Sequence, residues 1–242
     1  AAHVVGILKN AMLAGQVEIM TQSAVTRLII EEKQVVGIDW LKGRLMADAV
    51  IIATGGKSYP GTGSTGDGYI WAANAGHSIV EIRPGLVPLL AEEEWVKELQ
   101  GLSLKNTRAT AYDAEGGKIN EDCGELLFTH YGLSGPIILS MSRDIALHLN
   151  NKGGLVRVEL DLKPALSEEK LDERLQRDLN KYSRKIFKNA LVDLLPGKMI
   201  PIIVNLSSID EYKPCHQISR RERRGLVHLM KHLNLNIYGR SE

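Results

Sequence analysis

The chain has 242 residues, of which 44% are hydrophobic and 24% charged, and its formal net charge is +1. That length holds a sizeable core in one large or two small domains, and that composition excludes disordered and fibrous classes. The near-neutral balance gives no general pull toward nucleic acid or a membrane surface, and two Phe, three Trp and seven Tyr make a poor base-stacking surface.

The first predicted element is a helix. In "AAHVVGILKNAMLAGQ" the apolar residues Val4, Val5, Leu8, Met12 and Leu13 recur at helical spacing, and Gly15 is a stop signal. The chain lacks a starting Met and opens inside this helix, so it reads as a piece of something longer. Short runs rich in Val and Ile follow at 17–21, 24–32, 34–41 and 44–54, and these predict strands and a small meander. Ala49–Ala53 is continuously apolar, as in a parallel strand covered on both faces. "STGDGYIWAANAG" (64–76) predicts a helix capped by Ser64 or Thr65, with Asp67 in its first turn and Gly76 at its end.

Pro84 and Pro88 break the next extended stretch, which puts a domain boundary near Gly85. Beyond it, residues 102–130 read as two antiparallel strands around Glu115-Gly116-Gly117. Residues 134–150 read as a helix capped by Ser134 with Pro136 in its first turn. An alternating strand at 154–162, an amphipathic helix at 166–179 and shorter helical pieces over 184–210 come next. A last helix spans 219–235, and "NIYGR" returns as a strand. There is no internal repeat, and no run reaches the roughly 18 apolar residues of a membrane span. No signal peptide opens the chain, and Cys123 and Cys215 share no motif, so reduced thiols in a cytoplasmic protein are expected.

The stretch "VIIATGGKSYPGTGSTGDGY" (50–69) carries the chemistry of the first part. In doubly wound sheets, ligands sit beyond the carboxyl ends of the strands. Glycine at such an end lets backbone N–H groups approach a nucleotide without a Cβ in the way. The plainer reading is a tight strand-to-helix turn. The second stretch is Phe128-Thr129-His130, followed by Gly132-Leu133-Ser134-Gly135-Pro136. His130 can exchange a proton near neutral pH, and a helix N-terminus suits an anionic group. Here the plainer reading is a hinge, with His130 satisfied by backbone.

The pattern Ala53-Thr54-Gly55-Gly56, a loop, then Thr65-Gly66-Asp67-Gly68 resembles the FAD-binding domain of two-part flavoproteins of the glutathione reductase and fumarate reductase superfamily. That resemblance implies FAD contacts at Ala53, Thr54, Gly55, Gly56, Gly66, Asp67 and Gly68, and places Val25 where a backbone meets the adenine. "ELLFTHYGLSGPIILSMS" (125–142), with "GLVPLL" and the glycine-rich stretch, is similar to a bacterial family of NAD(P)/FAD-dependent oxidoreductases described as aminoacetone-oxidase-like or bile-acid-reductase-like. The resemblance runs from about Ala1 to Arg240.

It implies an α/β plus α+β architecture: residues 1–85 a partial Rossmann-like FAD domain with a β-meander, residues 86–242 an inserted, barrel-like domain of antiparallel strands and helices. It further implies a small organic substrate, NAD(P)H or oxygen as redox partner, His130 as a catalytic group, and Thr129, Ser134 and Gly135 at the substrate interface. The dinucleotide turn of that superfamily is missing. "GTGSTG" (61–66) formally matches G-x-G-x-x-G, but it follows Pro60 in a loop with no βαβ unit around it. The family's C-terminal return to the FAD domain is missing as well. The chain is therefore expected to hold FAD weakly or not at all alone, and its exposed partial sheet to favour pairing of copies.

No metal site is expected. Cys215 and His216 are adjacent without a second pair, and His228 and His232 have ligand spacing but lack the Glu of H-E-x-x-H, so they read as a solvated helix face. "RRERR" (220–224) offers a competing reading, a binding module for structured RNA, although Glu222 interrupts it. "EEEW" (92–95) reads as a surface segment anchored by Trp95.

Overall fold

The computed structural model describes residues 2–241. The chain divides between Arg83 and Pro84 into two units. The first holds helix α1 (Ala2–Ala14), the meander β1 (Val25–Glu31), β2 (Gln34–Trp40) and β3 (Gly43–Met46), and helix α2 (Asp67–Asn74). The strands are antiparallel in the order β1-β2-β3. Glu32 and Lys33 close the first hairpin with positive φ values of 47° and 68°, as a two-residue turn matched to strand twist requires. Asp39 on β2 ties the meander together, with Arg27 at 2.6 Å and Arg44 at 3.2 Å.

This unit departs from the sequence expectations in three places. Residues 17–21 form no strand, and β3 ends at Met46 instead of running to residue 54. The apolar run 49–53 has no regular secondary structure and lies in no ladder, and Ile51 is 91% exposed. A strand exists only through a neighbour that takes its N–H and C=O groups, and among the described residues nothing pairs with this run. Ser64 and Thr65 do not cap α2. Its N-cap is Gly66, at φ 89°, with no side-chain cap bond.

The second unit is built on a closed antiparallel barrel of order β4-β7-β6-β5-β8-β9. Its strands are β4 (Leu89–Ala91), β5 (Ser103–Tyr112), β6 (Lys118–Phe128), β7 (Gly132–Ser134), β8 (Val156–Asp161) and β9 (Leu233–Arg240). The interior follows from period-2 alternation: Val156, Val158 and Leu160 on β8 and Leu233, Leu235 and Ile237 on β9 are all buried. Phe128, Leu126, Leu133 and Leu89 fill the rest of this core. The β5–β6 turn falls at 113–117, where Asp113 Oδ1 accepts from the Gly117 N–H at 2.6 Å.

Helices cover the barrel: α3 (Pro136–Lys152), α4 (Glu168–Lys181), α5 (Met199–Leu206) and α6 (Arg220–Lys231). The buried stripes Leu171, Leu175 and Leu179 of α4 and Leu226, Val227 and Met230 of α6 sit at helical spacing. α6 ends four residues before the predicted position. His232 leaves the helical region at φ −133°, and from Leu233 the inward side chains alternate as in a strand. Ser134 does not cap α3: it pairs with Leu127 inside β7, and the N-cap is Gly135.

Polar side chains fix these helices. Ser142 on α3 accepts from the Val87 N–H at 3.0 Å and donates to the Leu139 carbonyl. Ser219 and Glu222 form a reciprocal capping box at the start of α6. Arg223 grips Asp172 of α4 with two bonds of 2.7 and 2.9 Å. Lys231, 12% exposed, meets Asp161 at 2.6 Å and donates to the carbonyls of Lys163 and Leu166.

Two predictions follow from these bonds. Lys231→Met strands Asp161 and two carbonyls, and should lower unfolding free energy by roughly 3–5 kcal/mol, read from the urea midpoint. Hydrogen bonds from Lys213 and then from Ser219 hold the Glu222 carboxyl down at about 2, below its ordinary 4.5. A depressed folded-state pKa gives stability that is present above the ordinary value and lost as pH falls from there toward 2. Glu222→Gln should flatten acid destabilisation in that window, measured by thermal melts across pH.

Candidate functional site

The glycine-rich loop of the first unit folds back on itself. An ideal Cβ on Gly68, in the first turn of α2, would come 2.7 Å from Thr54 Oγ1 and 2.9 Å from Ile52 Cγ2. One on Gly55, at φ 74°, would come 3.1 Å from Ser64 Oγ. Residues 52–56 and 64–69 are thus in direct contact, and glycine permits the approach. This brings together Thr54, Gly55, Gly56, Gly66, Asp67 and Gly68. Ala53 is exposed beside them. Val25 stands at the start of β1, half-buried, opposite Trp40 in the ladder. A helix start with no side-chain cap, against a glycine turn, is a fitting cradle for part of a nucleotide.

The other predicted residues lie in the second unit, on the turn between β6 and β7. Thr129 Oγ1 accepts from the Gly132 N–H at 3.0 Å, and the Thr129 N–H donates to the Gly132 carbonyl at 2.9 Å. The threonine hydroxyl therefore closes the turn. Two glycines seat β7. A Cβ on Gly132 would collide with the Leu89 carbonyl of β4, and one on Gly135 would lie 2.8 Å from the Leu127 nitrogen. His130 projects from the tip of this turn. It is exposed, edge-on to Tyr131 with ring centroids 4.6 Å apart.

A hollow beside this turn is lined by His130, Tyr131, Tyr238, Glu93 and Lys97. Glu93 was not singled out in the sequence. Burial raises its carboxyl pKa, against the opposing bond from the Asn236 N–H at 2.9 Å. Its neighbour Trp95 packs on Phe128 at 6.3 Å, as an anchor does. The hollow thus offers one imidazole, two phenols, the Lys97 ammonium and the carboxylates of Glu92, Glu93 and Glu94, of which Glu93 is half-buried, groups able to donate to and accept from a polar organic molecule.

Elsewhere, His216 Nδ1 lies 2.9 Å from the Ser183 carbonyl beside buried Cys215. Of the "RRERR" run, Glu222 and Arg223 are committed to structural bonds, while Arg220, Arg221 and Arg224 are exposed. No described helix is long and apolar enough to cross a membrane.

The turn geometry separates structural from chemical roles. His130→Ala should change unfolding free energy by less than about 0.5 kcal/mol, because the ring is exposed. Gly132→Ala forces β7 away from β4 and should destabilise by roughly 1–3 kcal/mol or more. Paired urea unfolding curves of the two variants check both.

Comparison with known proteins places this geometry in a wider group. The chain is 29% identical over 238 residues to a 3-dehydro-bile acid delta(4,6)-reductase of Clostridium scindens, covering 98% of this chain and 57% of the relative. It is 30% identical over 180 residues to a ribosomal RNA dihydrouridine synthase of Escherichia coli, covering 74% of this chain and 42% of the relative. The corresponding synthase of Haemophilus influenzae is 30% identical over 190 residues, with 76% and 42% covered. The chain spans about half the length of the curated relatives it matches. Residues 83–242, the unit that carries the closed barrel and its helices, match the family described as "HI0933-like protein barrel and H2TH domain", and the chain belongs to that family.

Proposed function

We propose that the chain is part of a FAD-dependent oxidoreductase that reduces a carbon–carbon double bond next to a carbonyl, with NAD(P)H as electron source. The observation that carries this reading is the likeness to a reductase over 98% of the chain, through both the glycine turn and the barrel unit. The names of the relatives share one chemistry: a delta(4,6)-reductase and a dihydrouridine synthase both describe addition of two hydrogens across a conjugated double bond.

Bound FAD would supply the hydride, because the redox chemistry belongs to the cofactor. The backbone of Thr54–Gly56 and the first turn of α2 would hold part of the nucleotide. His130 and the hydroxyls of Tyr131 and Tyr238 would orient the substrate carbonyl, and His130 would hand a proton to the carbon beside it. Oxygen as the redox partner would suit only the opposite direction, oxidation of a substrate, because it accepts electrons from reduced flavin and cannot supply them.

The ribosomal RNA names favour a second reading of the substrate, a uridine within RNA. Exposed Arg220, Arg221 and Arg224 near the start of α6 would then contact phosphates.

The test is a visible absorption spectrum of the purified protein titrated with FAD, followed by anaerobic reduction with NADH or NADPH. Flavin absorbance that bleaches on reduction in the full-length protein carrying this chain supports the reading, and a colourless full-length protein indifferent to FAD refutes it. His130→Ala should retain the flavin spectrum, lower turnover by about 10²–10⁴-fold and flatten the pH profile. If RNA is the substrate, affinity for it should fall steeply with salt, and replacing the three arginines with Gln should reduce that slope.

A further inference from the structure

The end of α6 meets the start of α4 through a cluster that the oxidoreductase reading leaves unused. His228 lies in the last turn of α6 and His232 is its C-cap, with ring centroids 4.6 Å apart. Glu168, the first residue of α4, faces them. Its Oε1 is 3.2 Å from Nε2 of His232. One ligand atom from each of the three residues lies within 4.8 Å of the others. Behind them, Nδ1 of His232 is 3.1 Å from Oε1 of Glu159 on β8, whose side chain is 19% exposed.

This second contact decides the chemistry. A histidine that gives its Nδ1–H to a carboxylate presents the Nε2 lone pair on its far side, the arrangement found behind metal-bound imidazoles. Without an ion, Nε2 and the Glu168 carboxylate are 3.2 Å apart and share a proton, and a metal ion that displaces this proton satisfies both. Two imidazoles and a carboxylate are the donor set zinc takes in tetrahedral sites that keep one position for water. Ligand atoms at zinc-bonding distance sit about 3.3 Å apart. Glu168 and His228 are both exposed and free to turn inward to meet that spacing.

We propose that Glu168, His228 and His232 form a site for a divalent transition-metal ion, with zinc the best fit, oriented from behind by Glu159. The ion ties the start of α4 to the end of α6, at the opposite end of α6 from the capping box. Because the folded chain alone assembles these ligands, zinc stabilises the fold in proportion to its concentration.

The experiment is calorimetric titration of the chelator-treated protein with zinc chloride at neutral pH, with melts in parallel. One saturable site per chain and a zinc-dependent rise in Tm are expected. Glu168→Gln and His228→Ala should each weaken zinc by at least about tenfold and abolish the Tm rise. Glu159→Gln should weaken it about 10- to 100-fold. Both ligand side chains are exposed, so metal-free Tm should hold in these variants. Cobalt(II) on the unaltered protein gives a test free of mutation, since intense visible bands mark tetrahedral coordination. Absence of saturable binding, weak octahedral cobalt bands, or wild-type affinity in the Glu168 and His228 variants would overturn the proposal. The last result would place zinc on another of the seven histidines.

Discussion

The second unit depends on how its barrel closes. β4 is only three residues long, yet it pairs with β7 on one side and β9 on the other. Such a strand cannot supply much ladder, so the closure rests on close approach. The Leu89 carbonyl lies where a side chain at position 132 would be, and Gly132 is what allows it. Closure removes the free edges that a six-stranded sheet would otherwise expose. It also fixes the β6–β7 turn, because Gly132 is both the seat of β7 and the partner of Thr129. The hollow beside His130 inherits its walls from the same event: Glu93 lies two residues beyond the end of β4 and reaches the backbone of β9.

Around this barrel the helices are placed by polar side chains as much as by apolar stripes. α6 carries three such commitments in twelve residues: the capping box at its start, Arg223 to Asp172, and Lys231 to Asp161. Each draws a charged residue out of the solvent-facing set. The charge that α6 presents to a partner is therefore smaller and more sharply placed than its sequence suggests.

Much of the barrel was legible because its signals are local. The β5–β6 hairpin announces itself through Glu115-Gly116-Gly117 and β8 through alternation, whereas the first residues of β9 read as the end of α6. What was illegible depends on partners far along the chain. Glu93 looks like one of three solvated glutamates until its bond to Asn236, 143 residues away, is seen. The spacing of His228 and His232 was plain, but Glu168 comes from another helix. Ser134 fits a helix cap by composition, yet the pairing of Leu127 with Ser134 draws it into a strand. The run 49–53 shows the reverse: its pattern is that of a buried strand, and no pattern can supply the neighbouring strand that would make it one.

The turn at 129–132 binds itself, through one hydroxyl and its own backbone, and asks nothing of the side chain at its tip. Position 130 is therefore a place where chemistry can change while the architecture stands still. A scaffold with such a position can be inherited intact by proteins acting on different molecules, each choosing its own group for that tip.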